Sequence, residues 1–511
     1  MIKIYLSDKA YDNDIAHIVK MFYYGVNLEI IEENDFNAIS SLLSSNDLSH
    51  PIIRNGLDDL DNSLILSLYV ALEPDKTSIT ALLSDGESLS REEDVGYASD
   101  PNLHYKNFIK RLLYDVLSRA TGKTLPWGIL TGIRPTKLVF QMIEEGKSQR
   151  DIYSYMRDEY LCSEDKIATS IDIASRELKL LHDIDYKNGY SLYIGIPFCP
   201  STCLYCSFTS YSIEKFANYV DDYLKALEKE IIFAATIYPN KKLTCVYLGG
   251  GTPTTLTAGQ LDWLLALVID NFDFTYVKEF CVEAGRPDSI TRDKLLVLKK
   301  WGVNRISINP QSMQQKTLDI IGRRHTVDAI KEAFYLARET GHDNINMDII
   351  IGLPGENIDD VEDTLKQIRE LNPDSLTVHT LALKRAARLN IERENYIDLK
   401  PRDVNMMYKL TSRFAKENDY LPYYLYRQKN MVDNLENVGY ARYNKEGIYN
   451  ILIMEEQQTI LALGAGGLSK YVSHNPHYIA REDNGKSVLD YIGRINQLIE
   501  KKRKFFEEKE A

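Results

Sequence analysis

The chain has no run of 18 apolar residues, so nothing in it reads as a membrane-spanning helix. Its opening, Met1-Ile-Lys-Ile-Tyr-Leu6, lacks a basic segment followed by a long apolar one, and no secretory signal is expected. Cysteine is scarce, with 6 in 511 residues, which in this context excludes a disulfide framework. Positive charge is the minority sign: 61 Lys and Arg stand against 74 Asp and Glu, a net −13. That balance argues against a broad nucleic-acid footprint but leaves room for a local basic pocket. These absences leave a cytoplasmic protein as the expectation, in a reducing compartment. The length allows two or three domains, and 44% hydrophobic residues allow a sizeable core.

Three of the six cysteines stand together. Cys199, Cys203 and Cys206 have C-x3-C-x2-C spacing directly after Tyr193–Phe198, an apolar run that reads as a β-strand. A loop at a strand end brings three thiolates within reach of one site, and thiolates hold iron–sulfur clusters. Three ligands leave the fourth iron of a cubane open to a small molecule, which makes a catalytic cluster and not a plain electron carrier. A structural zinc site wants four closed ligands. Cys162 and Cys245 lie far along the chain, and no histidine is close in sequence.

The chain divides by pattern into four segments. Residues 1–125 read as an N-terminal α/β accessory domain. In it, Met1–Leu6 is a strand, Ile15, Ile18, Val19 and Phe22 share a helical face, and Pro74-Asp75 turns a hairpin. Phe108, Leu112, Val116 and Leu117 mark a second helix. Residues 126–190 form a helical bridge, opening on the ordered loop Pro126–Lys137 and continuing as helices near 148–160 and 164–182. Arg134 and Lys137 in that loop either meet a carboxylate or serve packing.

In residues 191–385, candidate strands Tyr193–Phe198, Thr244–Leu248, Glu279–Glu283, Arg305–Asn309, Asn346–Ile351 and Leu376–Leu381 alternate with helices near 214–236, 258–270, 289–300, 326–340 and 358–371. Strands alternating with helices imply βα units on a parallel sheet, here a partial barrel of six. Residues 386–511 read as an α+β cap on the substrate side. In the cap, 403–417 is a helix, Tyr420–Tyr426 either covers a flat ligand or packs a core, and Ile448–Met454 is a strand. The tail Lys501–Ala511 reads as a charged helix end or as disordered.

Sites in βα barrels gather at the C-terminal strand ends, and the remaining motifs fall there. Tyr205 lies between the second and third cysteines. Gly249-Gly-Gly-Thr252-Pro253 follows the second strand, and its glycines allow close approach of a ligand to the backbone. Glu283 ends the third strand. Gln311 follows the fourth, and Arg323 is placed to meet a carboxylate. Arg324 and His325 read as surface or capping residues. Asp348, inside an apolar strand, needs a ligand or a partner. His379 reads as a satisfied core residue, and Lys384 and Arg385 as a basic cluster facing substrate.

Together these motifs resemble the radical S-adenosylmethionine (SAM) superfamily. Within it they resemble the oxygen-independent coproporphyrinogen III dehydrogenase (oxidase) family, most of all the HemZ type, over about residues 126–472. The loop Pro126–Lys137, Tyr426-Arg-Gln-Lys-Asn-Met431, Asn434-Leu-Glu-Asn-Val-Gly-Tyr440 and Gly464-Ala-Gly-Gly467 with Ser469-Lys470 carry the HemZ likeness.

The resemblance implies a partial (β/α)6 radical SAM barrel with a [4Fe-4S] cluster on Cys199, Cys203 and Cys206. It implies SAM contacts at Tyr193, Tyr205, Gly250, Gly251, Thr252, Glu283, Gln311, Arg323, Asp348 and Ala382. It implies a 5′-deoxyadenosyl radical that converts two propionates of coproporphyrinogen III to vinyl groups, giving protoporphyrinogen IX. A flavodoxin- or ferredoxin-type electron donor and an unnamed acceptor complete the reaction. Lys384, Arg385 and Arg427 are the expected partners of substrate carboxylates. One departure stands out. Ser207-Phe208 follows the third cysteine, where the family's dehydrogenases have Gly-Cys and its haem-chaperone relatives have an acid followed by Phe. This leaves open one SAM or two. It also leaves open a haem-trafficking protein, or a porphyrin-directed methyltransferase of the same family.

Overall fold

The computed structural model describes residues 2–23, 26–32, 65–72, 76–83, 88–94, 101–132, 134–208, 210–382, 387–392, 396, 399, 403–428 and 435–510. The described residues gather into two compact units: Met1–Pro135 with Gln141–Ile171, and Thr136–Phe140 with Asp172–Ala511. The expected Pro74-Asp75 turn lies outside the described residues, as do Lys384, Arg385, Met431 and Asn434.

The first unit is a five-stranded sheet: β1 (Ile2–Leu6), β2 (Leu28–Glu32), β3 (Ile65–Leu72), β4 (Lys76–Leu83) and β5 (Ser88–Asp94), in the order β2-β1-β3-β4-β5. β1 alternates buried and half-buried residues, which puts Ile2, Ile4 and Leu6 on the core face. The helix Asp12–Phe22 buries Ile15, Ile18, Val19 and Phe22, the face its spacing defines. The helix Pro101–Thr121 adds Leu112, Val116 and Leu117 to the same core. β3 and β4 pair antiparallel, the hairpin read from the sequence.

The second unit is built on one eleven-stranded sheet. Its barrel strands are β6 (Gly189–Ile196), then, after the two-residue pair β7 (Phe198–Cys199) and β8 (Tyr211–Ser212), β9 (Lys242–Gly250), β10 (Glu279–Gly285), β11 (Arg305–Ile308), β12 (Ile345–Ile351) and β13 (Ser375–Thr380). All six are parallel to their barrel neighbours. They are buried almost end to end, as expected of strands covered on both faces. The connecting helices include Val220–Ala234, Ala258–Asn271, Arg292–Lys300, Val327–Glu339 and Ile358–Leu371. Several start on side-chain caps that the sequence carries locally, such as Thr257 with Gln260 and Asn357 with Asp360.

The C-terminal segment mixes helices and strands, and its strands join the barrel sheet at both edges. β14 (Leu421–Tyr426) and β15 (Asn437–Ala441) join antiparallel beyond β13. β16 (Thr459–Leu463) adds a seventh parallel strand beside β6, followed by β17 (Leu468–His474) and β18 (His477–Asp483). The sheet therefore runs β14-β15-β13-β12-β11-β10-β9-β6-β16-β17-β18.

The expected strand Ile448–Met454 is instead the helix Ile448–Glu455. Tyr449, Leu452 and Glu455 recur every third residue on its buried face. A short apolar run does not by itself separate strand from helix. Here the helix start is fixed from afar. Glu279 on β10 accepts the amide hydrogens of Ile448 at 2.7 Å and Tyr449 at 3.2 Å, the service an N-cap residue normally performs. The helix Val488–Glu510 carries the tail almost to its end. Among the described residues, no helix is long and apolar enough to cross a membrane.

Candidate active site

β6 ends at Ile196, and the chain enters the cysteine loop within a few residues. That loop is tied to the glycine run after β9: Gly251 donates its amide hydrogen to Ile196 O (2.8 Å) and Thr252 to Phe198 O (2.7 Å). The tie needs glycine. A Cβ on Gly251 would stand 2.5 Å from Phe198 O, and Gly250 has φ +106, open only to glycine without strain. Thr252 Oγ1 lies 3.5 Å from Cys199 Sγ.

Burial pushes the Cys199 thiol up to about 11, against the Thr252 contact, and the other two cysteines raise it further. Burial likewise raises Cys206. Cys203 is buried and Cys199 and Cys206 are half-buried, so as three neighbouring thiolates they are stable only around a cation. Among the described residues, no three His, Cys, Asp or Glu side chains form a group that could hold a single metal ion. A cubane takes its thiolates at separate irons, and three cysteines on one short loop at the cavity are the donors such a cluster takes.

Glu283 pairs with Ser307 immediately before the register between β10 and β11 shifts. Burial pushes its carboxyl up to about 7. The hydrogen bond from Tyr247 OH opposes that rise, and the nearby Asp348 carboxylate adds to it. Asp348 goes the other way. Burial disfavours its charge, yet His379 (Nε2 to Oδ2, 3.7 Å) and Asn346 (Nδ2 to Oδ1, 2.7 Å) outweigh burial and hold it below the usual carboxylate range. His379 is thus engaged at the site through its ring, with Tyr426 OH 3.5 Å from its Nδ1.

Gln311 adopts φ +67, a left-handed conformation that a side chain rarely takes. It is held there by a one-residue bridge to β12: its amide donates to Asp348 O and its carbonyl accepts from Ile350 N, both at 2.9 Å. Its buried Oε1 has no partner, and neither do Asn309 Oδ1 and Arg323 Nε. Arg323 is otherwise fixed, donating to Asn309 O at 2.6 Å and to Tyr205 OH at 3.1 Å. Unpartnered buried polar atoms along one wall are places for a polar ligand.

These groups surround one cavity of about 630 Å³ at the C-terminal ends of the barrel strands. The three cysteines and all ten other expected site residues, Ala382 included, line it. The structure adds Tyr247, Tyr449 and Leu468, which the sequence did not single out, and places the tyrosine-dense segment and the second glycine run at the same cavity. Tyr193, Tyr247 and Tyr449 stack as a slab, with Tyr247 and Tyr449 ring centroids 4.4 Å apart and 19° between planes. Tyr424 and Tyr426 on β14 stack at 7° on another part of the lining. Tyr424 packs over Gly439, where any Cβ would overlap its ring. Gly466, Leu468 and Lys470 reach the cavity from the turn after β16. The run Gly464-Ala-Gly-Gly467 behind an apolar strand was the available signal for that turn.

Arg286 also lines the cavity, 3.7 Å from Cys203 Sγ. His325, read as a surface or capping residue, is buried and lies 3.8 Å from Asp288. Arg427 is buried and is not among the lining residues. Lys384 and Arg385 lie outside the described residues.

Comparison with known proteins agrees with this geometry. A sequence profile of the radical SAM superfamily matches residues 193–368. An oxygen-independent coproporphyrinogen-III oxidase-like protein, HemZ of Bacillus subtilis, is 42% identical over 407 residues, 79% of this chain and 81% of that protein. The haem chaperone HemW of the same organism is 34% identical over 215 residues, 42% of this chain and 56% of HemW. Among solved structures, the radical SAM coproporphyrinogen III oxidase of Escherichia coli superposes with a TM-score of 0.50 at 25% identity, over 63% of this chain and 72% of that one. The chain therefore belongs to the HemZ-type, oxygen-independent coproporphyrinogen oxidase-like family of radical SAM proteins, whose cofactors are a [4Fe-4S] cluster and SAM.

Proposed function

We propose that the chain carries out oxygen-independent oxidative decarboxylation of coproporphyrinogen III, turning two propionates into vinyl groups and giving protoporphyrinogen IX. The observation that carries this reading is the single cavity in which the cysteine loop, the glycine run and the unpartnered polar wall meet. The cluster and SAM, when bound, supply one-electron reduction and hydrogen-atom abstraction. The chain's own residues do the rest. Cys199, Cys203 and Cys206 hold the cluster. Gly250, Gly251 and Thr252 present an open backbone edge to the methionine end of SAM. Glu283, Gln311, Arg323 and Asp348 offer fixed polar atoms to its ribose and carboxylate, with Tyr193, Tyr205 and Ala382 completing the contact. The tyrosine slab excludes water from a reactive centre.

Each round removes one hydrogen atom and CO2 from a propionate and passes one electron to an acceptor outside the chain. A flavodoxin- or ferredoxin-type protein is the expected donor, and the reducing cytoplasm the expected place. A second reading, haem binding and delivery without turnover, is favoured by Phe208, which is 70% exposed at the cavity lining, and by the similarity to HemW.

The test is anaerobic reconstitution with reductant, SAM and coproporphyrinogen III, followed by mass spectrometry of tetrapyrroles and 5′-deoxyadenosine. Stepwise loss of two carboxyl groups, abolished in Cys203→Ala, is expected. Cleaved SAM with all four carboxyls retained would overturn the decarboxylation. Stoichiometric haem binding without turnover would then favour delivery, and a methylated tetrapyrrole would favour methyl transfer.

A further inference from the structure

Arg286 sits between β10 and the turn Pro287–Ser289, where the sequence offers no cue to its target. The residue is 3% exposed. One nitrogen donates to Ser201 O (3.1 Å) and Ser201 Oγ (2.9 Å), and lies 3.7 Å from Cys203 Sγ. The other edge forks onto Asp288, at 3.0 and 2.6 Å. Asp288 in turn faces the buried ring of His325 at 3.8 Å. A permanent cation is thus fixed against one cluster ligand and half-balanced by a carboxylate on its far side. Among the described residues, the hydrogen-bonding neighbours of the other two cysteines are uncharged: Thr252 stands by Cys199, and the Phe208 backbone and Ser210 by Cys206.

We propose that Arg286 is a positioning residue that sets the reduction potential of the cluster through Cys203, and that Asp288 trims its effect. Reducing the cluster would add one negative charge to it, part of which its thiolate ligands would carry. A guanidinium hydrogen-bonded to one of them stabilises that charge more than it stabilises the oxidised state, because potentials of such clusters follow net charge and hydrogen bonds to sulfur. Arg286 therefore raises the potential and eases electron entry from a low-potential one-electron donor. Asp288 does the reverse by neutralising part of the guanidinium. The inference rests on Cys203 being a cluster ligand and does not depend on which tetrapyrrole is the substrate.

The experiment is a redox titration of the full chain after anaerobic reconstitution, read by electron paramagnetic resonance, with iron and sulfide counted for each variant and no tetrapyrrole present. In Arg286→Gln, a lost charge-assisted hydrogen bond is expected to lower the reduced-to-oxidised ratio about tenfold at a fixed poise, which is ~59 mV for a one-electron couple. In Asp288→Asn the ratio is expected to rise. Opposite signs are the signature, since a purely structural part would move both variants the same way or neither. An unchanged potential in a fully loaded Arg286→Gln protein overturns the proposal. If that variant fails to load, Asp288→Asn decides alone, and a ratio that does not rise overturns it. Arg286→Lys, which keeps the charge, is expected to restore at least part of the potential.

Discussion

Tyr247 OH donates a hydrogen bond to Oε1 of Glu283 inside the barrel, and the same tyrosine ring stacks on Tyr449. The pair joins a strand read from the sequence to a helix that was not. It also sets the ionisation of the most perturbed acid in the site, with burial the larger influence and Tyr247 a partial brake.

Stability of the cofactor-free protein should therefore depend on pH through Glu283. Its folded-state value of about 7 lies above the ordinary 4.5. Between those values the folded chain keeps a proton that the unfolded chain has lost, so stability falls as pH rises through the window. The full effect is on the order of 3 kcal/mol. Glu356, also pushed up to about 7 by burial, acts in the same direction. Glu279 and Glu177, also raised by burial, add to the same trend, so chemical denaturation of Glu283→Gln against pH should show a smaller loss than wild type across the window, not its abolition. An identical slope would refute the assignment.

Gln311→Gly should separate stability from ligand binding. Glycine relieves a left-handed side-chain position worth about 1 kcal/mol. It also removes the unpartnered Oε1. Calorimetry should show a more stable apo protein, and titration with SAM should show binding about tenfold weaker, the value of one hydrogen bond. Unchanged affinity would remove Gln311 from the ligand wall.

Gly251→Ala should act on the cysteine loop. Its added methyl carbon meets Phe198 O at 2.5 Å, so one of the two loops must move, at a cost of about 1–3 kcal/mol. Iron and sulfide content after reconstitution should drop while the circular dichroism of the apo protein stays the same. Full loading would mean that the two loops move independently.

Lys502→Ala should destabilise the second unit by about 3–5 kcal/mol, because it strands a buried charge. Lys502 reaches Glu230 Oε1 and Ala462 O, both at 2.5 Å. Burial opposes the ionisation of Glu230, and Lys502 with Tyr491 overcomes it. Glu230 Oε2 also accepts the amide hydrogen of Gly464 at 2.8 Å, so the C-terminal helix holds the glycine turn after β16. Hydrogen exchange at Gly464 and Ala465 should accelerate together with the loss of stability. A change under 1 kcal/mol would refute the coupling.

Much of this protein was legible in its sequence because the signals were local. The six barrel strands are apolar runs separated by helices, and burial on both faces requires that pattern. The cysteine spacing, the glycine run, Glu283, Gln311, Arg323 and Asp348 fall at strand ends by chain order alone, and the fold carries those ends to one cavity. What was missed was held by distant partners. His325 looks like a surface residue until Asp288 is brought beside it, and Arg286 has no visible target until Ser201 and Cys203 arrive from a loop that precedes it by more than two strands.

By itself, then, the sequence determined the parallel barrel and the chemistry of its loops, since hydrophobic period, caps and cysteine spacing act over a few residues. Only the tertiary structure decided the ends of the sheet, where β14 and β15 extend it at one edge and β16 to β18 at the other. It also decided the helix Ile448–Glu455. An apolar run of that length suits either conformation, and the carboxylate of Glu279, 169 residues before Ile448, satisfies the amides that only a helix start would leave free.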